Sequence, residues 1–228
     1  MRVTLNAMTQ PWLVVGGKSM SLEKYMIYCA RVSSPDNRLN HETAPKLLKY
    51  LIDAGHWSPF EMISIAFEIE TSRAIAQQIL RHRSFSFQEF SQRYAKVEAM
   101  EPIELRYQAE KNRQSSSDIC SDSTAWNAIN DHIESCNALY DKLIKAGIAK
   151  ECARFVLPLT TQTTIIMHGT LRSWIHFLNQ RCDDHAQKEV RLIAEEIKKQ
   201  LSDVCPWTAN ALGWGKHLKH SKVKGEKL

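Results

Sequence analysis

The sequence predicts an α+β fold, in which helices surround a small mixed or antiparallel sheet. Two stretches, "MISIAFEIE" and "LTTQTTIIM", carry the β-branched residues and alternation that are typical of strands. Several other segments carry apolar residues at helical spacing. Strands and helices do not alternate regularly, and neither G-x-G-x-x-G nor G-x-x-x-x-G-K occurs, which excludes a Rossmann fingerprint and a P-loop.

In the first half of the chain, a short strand is expected at "VTLNAM". The segment "SLEKYMIYCARVSS" predicts a helix with Ser21 as its N-cap, and Pro35 follows in a polar turn. A second helix is expected from about Thr43 to Ala54, because Gly55 stands where a left-handed cap is favoured. After the strand "MISIAFEIE", the segment "SRAIAQQILRHR" predicts an amphipathic helix.

In the second half, the polar residues 108–124 are expected to form a loop or excursion. A long helix should follow from about Thr124 to Ala146 and stop at Gly147. The later elements are a helix "AKECARFV" ending before Pro158, the strand "LTTQTTIIM", and helices at about Thr170–Arg181 and Asp184–Cys205.

The composition is that of a soluble globular protein, with 43% hydrophobic and 24% charged residues among 228. We expect one catalytic domain over residues 1–215. No apolar run approaches the roughly 20 residues that cross a bilayer, and the N-terminus lacks a secretory signal. The six cysteines contain no C-x-x-C pair, so reduced thiols in a cytoplasm are expected, without a disulfide framework or a metal.

The formal net charge of +5 is concentrated at the C-terminus. Residues 216–228 hold five lysines and one glutamate and predict a basic, flexible tail. About +1 remains for the rest of the chain, which disfavours a broad nucleic-acid-binding surface.

The stretch "RHRSFSFQEFSQRY" mixes cations with aromatic residues, which suits neither a plain surface helix nor a core segment. Arginine offers a planar fork of donors that fits phosphate groups. If the helix continues through this stretch, Arg81 and Arg83 lie about 200° apart, at about 100° per residue. Opposite faces would serve two ligands, or one ligand shared by two subunits.

Two further stretches combine chemically useful side chains. In "GHWSPFEMI", His56 could stack on a flat ligand or simply satisfy a turn. In "HFLNQRCDDHAQKEVR", Asp183, Asp184 and His185 lack any known metal-ligand spacing, so no metal is expected. Ser91 has Glu89 nearby but no G-x-S-x-G elbow, which makes hydrolase chemistry a weak interpretation.

These blocks together resemble the flavin-dependent thymidylate synthases. The signature of that family is R-H-R, about seven residues, then Ser, and here Arg81-His82-Arg83 is followed by seven residues and Ser91. "GHWSPFE" precedes it, and "ARFVLP", "LRSWIHFLNQRCDDHAQKEVR" and "CPW" follow in the order of the family. The resemblance spans about Gly55 to Trp207, with residues 108–124 unassigned.

The resemblance implies a homotetramer whose active sites are built from several subunits. It also implies FAD as cofactor, NADPH as reductant and 5,10-methylenetetrahydrofolate as carbon donor to dUMP. The flavin contacts of the family correspond here to Ser58, Arg81, His82, Arg83, Glu89, Thr170, Arg172 and His176. The dUMP contacts correspond to Gln78, Arg81, Glu89, Ser91, Arg93, Arg154 and Arg181. His56 and Arg181 correspond to the catalytic positions.

The resemblance further implies chemistry without a cysteine nucleophile, because none of the six cysteines lies in the signature. Reduced flavin would deliver a hydride, and Arg181 would stabilise negative charge on the uracil ring. His56 would lie near flavin and folate, and the aromatic residues of the signature would pack its loop against the body of the protein. Thr170 stands where many relatives carry asparagine, and its hydroxyl has fewer hydrogen-bonding options than an amide.

Two alternatives stay open at this point. A flavoprotein of other nucleotide specificity on the same fold fits the same motifs. A protein that binds RNA or single strands would use arginines with interleaved aromatic residues, but the charge outside the tail is low for that role.

Overall fold

A four-stranded sheet with the strand order β1-β4-β8-β5 forms in the computed structural model, which describes residues 1–97, 99–112 and 115–214. The strands are β1 (Arg2–Met8), β2 (Val14–Val15), β3 (Lys18–Ser19), β4 (Ser64–Ser72), β5 (Ser86–Glu89), β6 (Arg106–Gln108), β7 (Ser116–Ile119) and β8 (Gln162–Thr170). The helices are α1 (Leu22–Ala30), α2 (Ala44–Asp53), α3 (Arg73–Ile79), α4 (Ser123–Lys145), α5 (Lys150–Ala153), α6 (Leu171–Arg181), α7 (Lys188–Val204) and α8 (Pro206–Ala211). Short 3-10 turns occur at Pro35–Asn37, Ser58–Met62 and Arg154–Val156. The predicted α+β class is confirmed.

Most predicted elements are confirmed, two are wrong in part, and one helix lies where none is predicted. Helix α3 ends at Ile79, several residues before the expected end. The expected loop over 108–124 contains strand β7, which pairs antiparallel with β6 to form a hairpin. The sequence predicts that the last helix ends before Pro206. In the structure, Pro206 occupies the first turn of a further helix, α8.

The chain folds as two compact units, each assembled from three stretches of sequence. Unit 1 comprises Met1–Thr4, Glu68–Met167 and Asp183–Ile193. Unit 2 comprises Leu5–Phe67, His168–Cys182 and the described part of Ala194–Leu228. The single domain over residues 1–215 stays a prediction, and the predicted tail over 216–228 lies outside the described residues. No helix in the described part of the chain is long and apolar enough to cross a membrane.

In unit 1, the long helix α4 packs its apolar face on the segment that follows the signature. Tyr140 is 2% exposed and lies against Val97 and Ala153, with a rim of half-buried apolar residues around them. The backbone N–H of Val97 donates to the Tyr140 hydroxyl at 3.5 Å. This cluster includes Ala153 and Val156, which lie on either side of Arg154 in the sequence, and begins four residues after Arg93, at Val97.

In unit 2, the fully buried Trp174 of α6 organises the core. Its ring makes edge contacts with Phe67 and Phe177, at centroid distances of 5.0 and 5.8 Å. Its indole N–H donates to the backbone oxygen of Ile65 at 3.1 Å, so the one polar atom of the side chain is satisfied. Burial of α6 on this side leaves its opposite face available for polar residues.

A buried carboxylate in unit 2 accepts hydrogen bonds from backbone N–H groups at the start of α8. Glu23, 5% exposed, accepts hydrogen bonds from the backbone N–H groups of Trp207 at 3.0 Å and Thr208 at 2.7 Å. The Thr208 hydroxyl donates to the same carboxylate at 2.8 Å. These donors belong to the first turn of a helix, which has no intrahelical acceptors for them.

We expect Glu23→Ala to lower the free energy of unfolding by about 3 kcal/mol, because three donors lose a buried acceptor. Urea denaturation followed by circular dichroism measures this change. The matched control is Glu42→Ala at an exposed glutamate, which should change stability by about 0.5 kcal/mol or less. Equal stability of the two variants would contradict the capping role of Glu23.

Candidate functional site

The signature begins in a turn rather than in a helix. Because α3 ends at Ile79, Arg81, His82 and Arg83 adopt non-helical backbone, and the expectation of two arginines about 200° apart on one helix is wrong. Both arginines are exposed, and no acidic side chain in the described part of the chain pairs with either guanidinium. This turn, residues 81–85, therefore presents two uncompensated cations to solvent.

Aromatic residues hold this turn in place. Phe85 is 8% exposed, and its ring lies 6.2 Å from that of Phe87 and 6.4 Å from that of His82. Phe90 is half-buried, so three of the four aromatic residues pack as expected. Tyr94 does not: its side chain is 85% exposed.

The carboxylate of Glu89, the last residue of β5, is clamped by two neighbouring elements. One oxygen accepts from Arg73 at 3.3 Å and from the Thr163 hydroxyl at 3.1 Å. Arg73 begins α3, and the buried Thr163 lies on β8, the strand beside β5. The carboxylate is thereby held at the end of the strand, directly before the second half of the signature.

Arg93 and Arg154, both expected to bind phosphate, share one neighbour in unit 1. Arg93 forms an ion pair of 3.8 Å with the Glu151 carboxylate, while Arg154 donates to the Glu151 backbone oxygen at 3.3 Å. The Arg93–Glu151 pair is about 60% exposed on both sides, so it is weak and open to replacement by another anion. Ser91 is exposed at the start of the turn that carries Arg93.

Gln78, the remaining dUMP candidate of unit 1, lies near the end of α3. Its amide N–H donates to the side-chain oxygen of Gln187 at 2.5 Å. Gln187 belongs to the connection between α6 and α7, within the motif "DDHAQKEVR". Sequence reasoning did not single out Gln187.

In unit 2, the start of α6 meets the 3-10 turn Ser58–Met62. Arg172 donates to Glu61, and the His176 ring lies 4.9 Å from the Trp57 ring. Arg172 and His176 are exposed and four residues apart, so they share one face of the helix. Thr170 is the N-cap of α6 and accepts from the Ser173 backbone N–H at 3.3 Å.

His56 and Arg181 lie outside the contact between the start of α6 and the 3-10 turn Ser58–Met62. His56 follows Gly55, whose φ of 68° ends α2 with a left-handed cap, and its exposed ring lies edge-on to Tyr50 at 6.0 Å. Arg181 is the last residue of α6, about 14 Å along the axis from Arg172 at about 1.5 Å per residue. Arg181 therefore lies about two and a half turns beyond Arg172 and between one and two turns beyond His176.

The thiol beside Arg181 is unsuited to nucleophilic attack. Burial raises the pKa of the Cys182 thiol, so the thiolate is disfavoured at neutral pH. Hydrogen bonds from the backbone N–H and the ring of His185 lower the pKa of Asp183. No group of three or more potential metal ligands occurs among the described residues.

The predicted residues are divided between the two units. Unit 1 holds Gln78, Arg81, His82, Arg83, Glu89, Ser91, Arg93 and Arg154, and unit 2 holds His56, Ser58, Thr170, Arg172, His176 and Arg181. The missed residues are those that hold these side chains: Trp57, Glu61, Arg73, Thr163 and Gln187. Trp57 and Glu61 lie inside "GHWSPFE" and could have been found there, but nothing local marks Thr163.

Comparison with known proteins identifies the family of the chain. The family described as "Thymidylate synthase complementing protein" matches residues 18–207. A flavin-dependent thymidylate synthase of Synechocystis sp. is 47% identical over 217 residues, which cover 94% of this chain and 100% of that protein. A probable flavin-dependent thymidylate synthase of Paramecium bursaria Chlorella virus 1 is 46% identical over 218 residues, with the same coverage.

A solved structure shares the fold. The UMP/dUMP methylase PolB from Streptomyces cacaoi, bound with 5-Br dUMP, superposes with a TM-score of 0.79 at 25% identity, over 93% of this chain and 94% of that one. The fold and these relatives define an α+β enzyme of nucleotide metabolism. The chain belongs to the flavin-dependent thymidylate synthase family.

The residues present fit the anionic flavin nucleotide that the family uses. The turn at Arg81 and Arg83 offers two exposed guanidinium groups for phosphate, and the described part of the chain does not neutralise them. Within unit 2, Arg172, which pairs with Glu61, lies on the same helix face as the exposed His176, whose ring is 4.9 Å from the Trp57 ring. Cations for phosphates and flat rings for stacking are the groups that an adenine dinucleotide requires.

The capping role of Thr170 predicts a specific mutational pattern. Thr170→Val should lower the free energy of unfolding by about 1 kcal/mol, because the first turn of α6 loses its acceptor. Thr170→Asn should stay within about 0.5 kcal/mol of the parent, because asparagine caps helices equally well. Thermal unfolding of both variants tests the pattern, and an unchanged Thr170→Val variant would refute it.

Proposed function

We propose that the chain catalyses the reductive methylation of dUMP to dTMP, with 5,10-methylenetetrahydrofolate as carbon donor and NADPH as reductant. Bound FAD, once reduced, supplies the hydride that completes the methyl group. A reducing compartment such as the cytoplasm suits the six free cysteines.

One observation carries the proposal: the clamped carboxylate of Glu89 lies in the chain between a turn with two arginines, Arg81 and Arg83, and a turn with one, Arg93. The Arg81–Arg83 turn precedes β5, and the Ser91–Arg93 turn follows it. Two arginine-bearing turns on either side of one oriented carboxylate could each bind an anionic group of a nucleotide. The full-length similarity to flavin-dependent thymidylate synthases supports this pairing.

Within this proposal, the residues of unit 1 divide between the two nucleotides. Arg81, His82 and Arg83 hold the flavin nucleotide, and Arg81 also reaches dUMP. Arg93 and Arg154 hold the phosphate of dUMP, with Ser91 as a hydroxyl donor and Gln78 as an amide contact. Glu89 serves both ligands as an acceptor for N–H or O–H groups.

In unit 2, Ser58, Thr170, Arg172 and His176 contact the flavin, and His56 lies near flavin and folate. Arg181 stabilises the negative charge that develops on the uracil ring when its C5 becomes nucleophilic. A permanently charged guanidinium suits this role, because it needs no proton exchange. The raised pKa of Cys182 is consistent with a route that uses no thiolate.

We further propose a homotetramer with shared active sites. Tyr94 and Phe155 are 85% and 82% exposed, and each directly follows a proposed phosphate ligand, Arg93 or Arg154. Large aromatic side chains beside functional arginines are typical of protein interfaces. A second copy that covers them would close the site around the phosphate.

A second nucleotide deserves a direct test, because PolB is a UMP/dUMP methylase and shares the fold. If this chain shared the substrate range of PolB, its nucleotide site would accept UMP as well as dUMP. Comparison of kcat/KM for UMP and dUMP decides between the two, and we expect dUMP to be preferred.

The first experiment is the visible absorption spectrum of the purified chain, loaded with FAD, desalted and reduced with NADPH with and without dUMP. Retained flavin whose reduction responds to NADPH, at a rate that dUMP changes, supports the proposal. A protein that retains no flavin would overturn it.

Arg181→Ala should lower kcat at least about 100-fold, because the developing charge on uracil loses its counter-charge. Turnover of dUMP to dTMP is measured by product chromatography. Size-exclusion chromatography and circular dichroism establish that the variant is folded and assembled. The control is Arg2→Ala, at an arginine that pairs with Glu68 and Glu70 and should leave turnover unchanged. Full turnover of the Arg181→Ala variant would remove Arg181 from the mechanism.

Phe155→Glu should dissociate the tetramer and abolish turnover, because a buried charge would lie at the interface. Light scattering after size-exclusion chromatography gives the mass of the particle. Leu39→Glu, at an apolar side chain that is 50% exposed, is the matched control and should stay tetrameric. A parent protein that elutes as an active monomer would contradict the shared site.

A further inference from the structure

The carboxylate of Glu89 receives two hydrogen bonds in unit 1, and both end on the same oxygen atom. Arg73 donates to Oε1 at 3.3 Å, and the Thr163 hydroxyl donates to Oε1 at 3.1 Å. The other oxygen, Oε2, has no hydrogen-bond partner in the described part of the chain, and it is not a buried atom. The side chain as a whole is 26% exposed. Oε2 is therefore the end of Glu89 that is accessible to a ligand.

Thr163 places a hydroxyl on the core face of β8. Its side chain is 2% exposed and shares that face with Ile165 and Met167, which are fully buried. A valine would suit such a face, whereas a buried hydroxyl is costly unless it is hydrogen-bonded. The Glu89 carboxylate supplies that bond, so the contact with Oε1 accounts for the threonine at this position.

The backbone fixes the end of β5 beside Thr163. The N–H of Phe90, the residue after Glu89, donates to the backbone oxygen of Thr164 at 2.8 Å, and β5 and β8 are neighbours in the sheet. A β-branched residue has restricted χ1 rotamers, so the hydroxyl of Thr163 cannot follow a carboxylate that turns away from it. The place of Oε1 is thus set by two paired strands.

Arg73 determines which kind of atom can occupy that place. Its guanidinium, 30% exposed, reaches Glu89 from the start of α3 and can only donate hydrogen bonds. The atom held between Arg73 and the Thr163 hydroxyl must therefore be an acceptor. The two oxygens of a carboxylate are equivalent, so their exchange changes nothing, but a tilt of the group would break both contacts.

We propose that Thr163 is a positioning residue for the nucleotide site: with Arg73, its hydroxyl fixes the Glu89 carboxylate so that Oε2 accepts a hydrogen bond from dUMP. This inference rests on the proposed function, which assigns Glu89 to the nucleotide ligands. The group of dUMP that meets Oε2 is a donor, either a sugar hydroxyl or the imide N–H of uracil. Without the Thr163 hydroxyl, Arg73 alone holds the carboxylate, and Oε2 is presented to the nucleotide in several orientations.

The test measures dUMP binding to the FAD-loaded enzyme in two variants. Thr163→Val removes the hydroxyl at nearly constant shape, and Thr163→Ser keeps the hydroxyl. Isothermal titration should show about five-fold weaker binding of dUMP to Thr163→Val, the order expected for one hydrogen bond. Thr163→Ser should bind dUMP like the parent. In steady-state kinetics, Thr163→Val should raise the KM for dUMP while kcat at saturating dUMP stays near the parent value.

Thr71→Val is the matched control in the same unit. Thr71 is a fully buried threonine of β4, and its hydroxyl donates to a different carboxylate, that of Glu101, at 3.4 Å. Removal of this hydroxyl should leave the affinity for dUMP unchanged. Thermal unfolding of Thr71→Val and Thr163→Val establishes that both variants are folded and compares their losses of stability.

A double-mutant cycle with Glu89→Gln shows whether Thr163 acts through the carboxylate. In Glu89→Gln, Arg73 holds the carbonyl end of the new amide, which directs the NH₂ group toward the ligand, so a donor meets a donor. We expect dUMP to bind about 10-fold more weakly or worse. Addition of Thr163→Val should cause no further loss, because the hydroxyl then has no ligand-binding acceptor to orient.

The possible outcomes are distinct. An unaffected Thr163→Val variant, a Thr163→Ser variant as weak as Thr163→Val, or losses that add in the double variant would overturn the positioning role and leave the proposed function intact. An equal loss of affinity in Thr71→Val would also overturn the role, because it would reflect the stability of the sheet. A parent enzyme that does not bind dUMP would overturn both proposals.

A second variant keeps the test decisive if Thr163→Val does not fold. Arg73→Met removes the other donor to Oε1 at a side chain that is partly exposed, so the core face of β8 is left intact. It should weaken dUMP binding by a similar factor, about five-fold. Unchanged affinity in Arg73→Met would overturn the joint positioning of Glu89 by Arg73 and Thr163.

Discussion

The carboxylate of Glu89 is the contact on which the arrangement of unit 1 depends. It ends β5, and it is held by Arg73 at the start of α3 and by the Thr163 hydroxyl on β8. One charged group thus links a strand end, a helix start and a neighbouring strand. Because hydrogen bonds to charged groups are stronger than neutral ones, the two turns that flank β5 emerge from a defined point. A shift of this carboxylate would move the residues of both turns.

Two paired and two unpaired arginines differ in what they do in the structure. Arg73 pairs with Glu89, and Arg172 pairs with Glu61, so each guanidinium holds a carboxylate in place. Arg81 and Arg83 have no acidic partner in the described part of the chain and face solvent. Repulsion between neighbouring cations costs stability, and a bound anion would relieve it. The binding of an anionic ligand is therefore most favourable at Arg81 and Arg83.

The β6–β7 hairpin occupies part of the region 108–124, to which the family motifs assign no role. Its serine-rich sequence reads as a loop because polar residues dominate it. Its stability comes from Arg106, which bonds Glu189 across 83 residues of sequence. Glu189 in turn orients Gln187, which reaches Gln78 across 109 residues. No local sequence pattern predicts contacts between positions so far apart. Neither the hairpin nor the contact between Gln187 and Gln78 therefore follows from periodicity.

The sequence alone determined the fold class, most elements and the family, because helical spacing, β-branched runs and ordered motifs are local properties. Gly55 and Gly147 ended their helices as expected, with φ values of 68° and 79°. Only the tertiary structure decided where α3 stops, and that end turned Arg81 and Arg83 from opposed faces of a helix into neighbours on a turn. It also decided which residues hold the candidate site in place, because side-chain partners such as Thr163 come from distant strands, and their identity depends on packing rather than on neighbours in sequence.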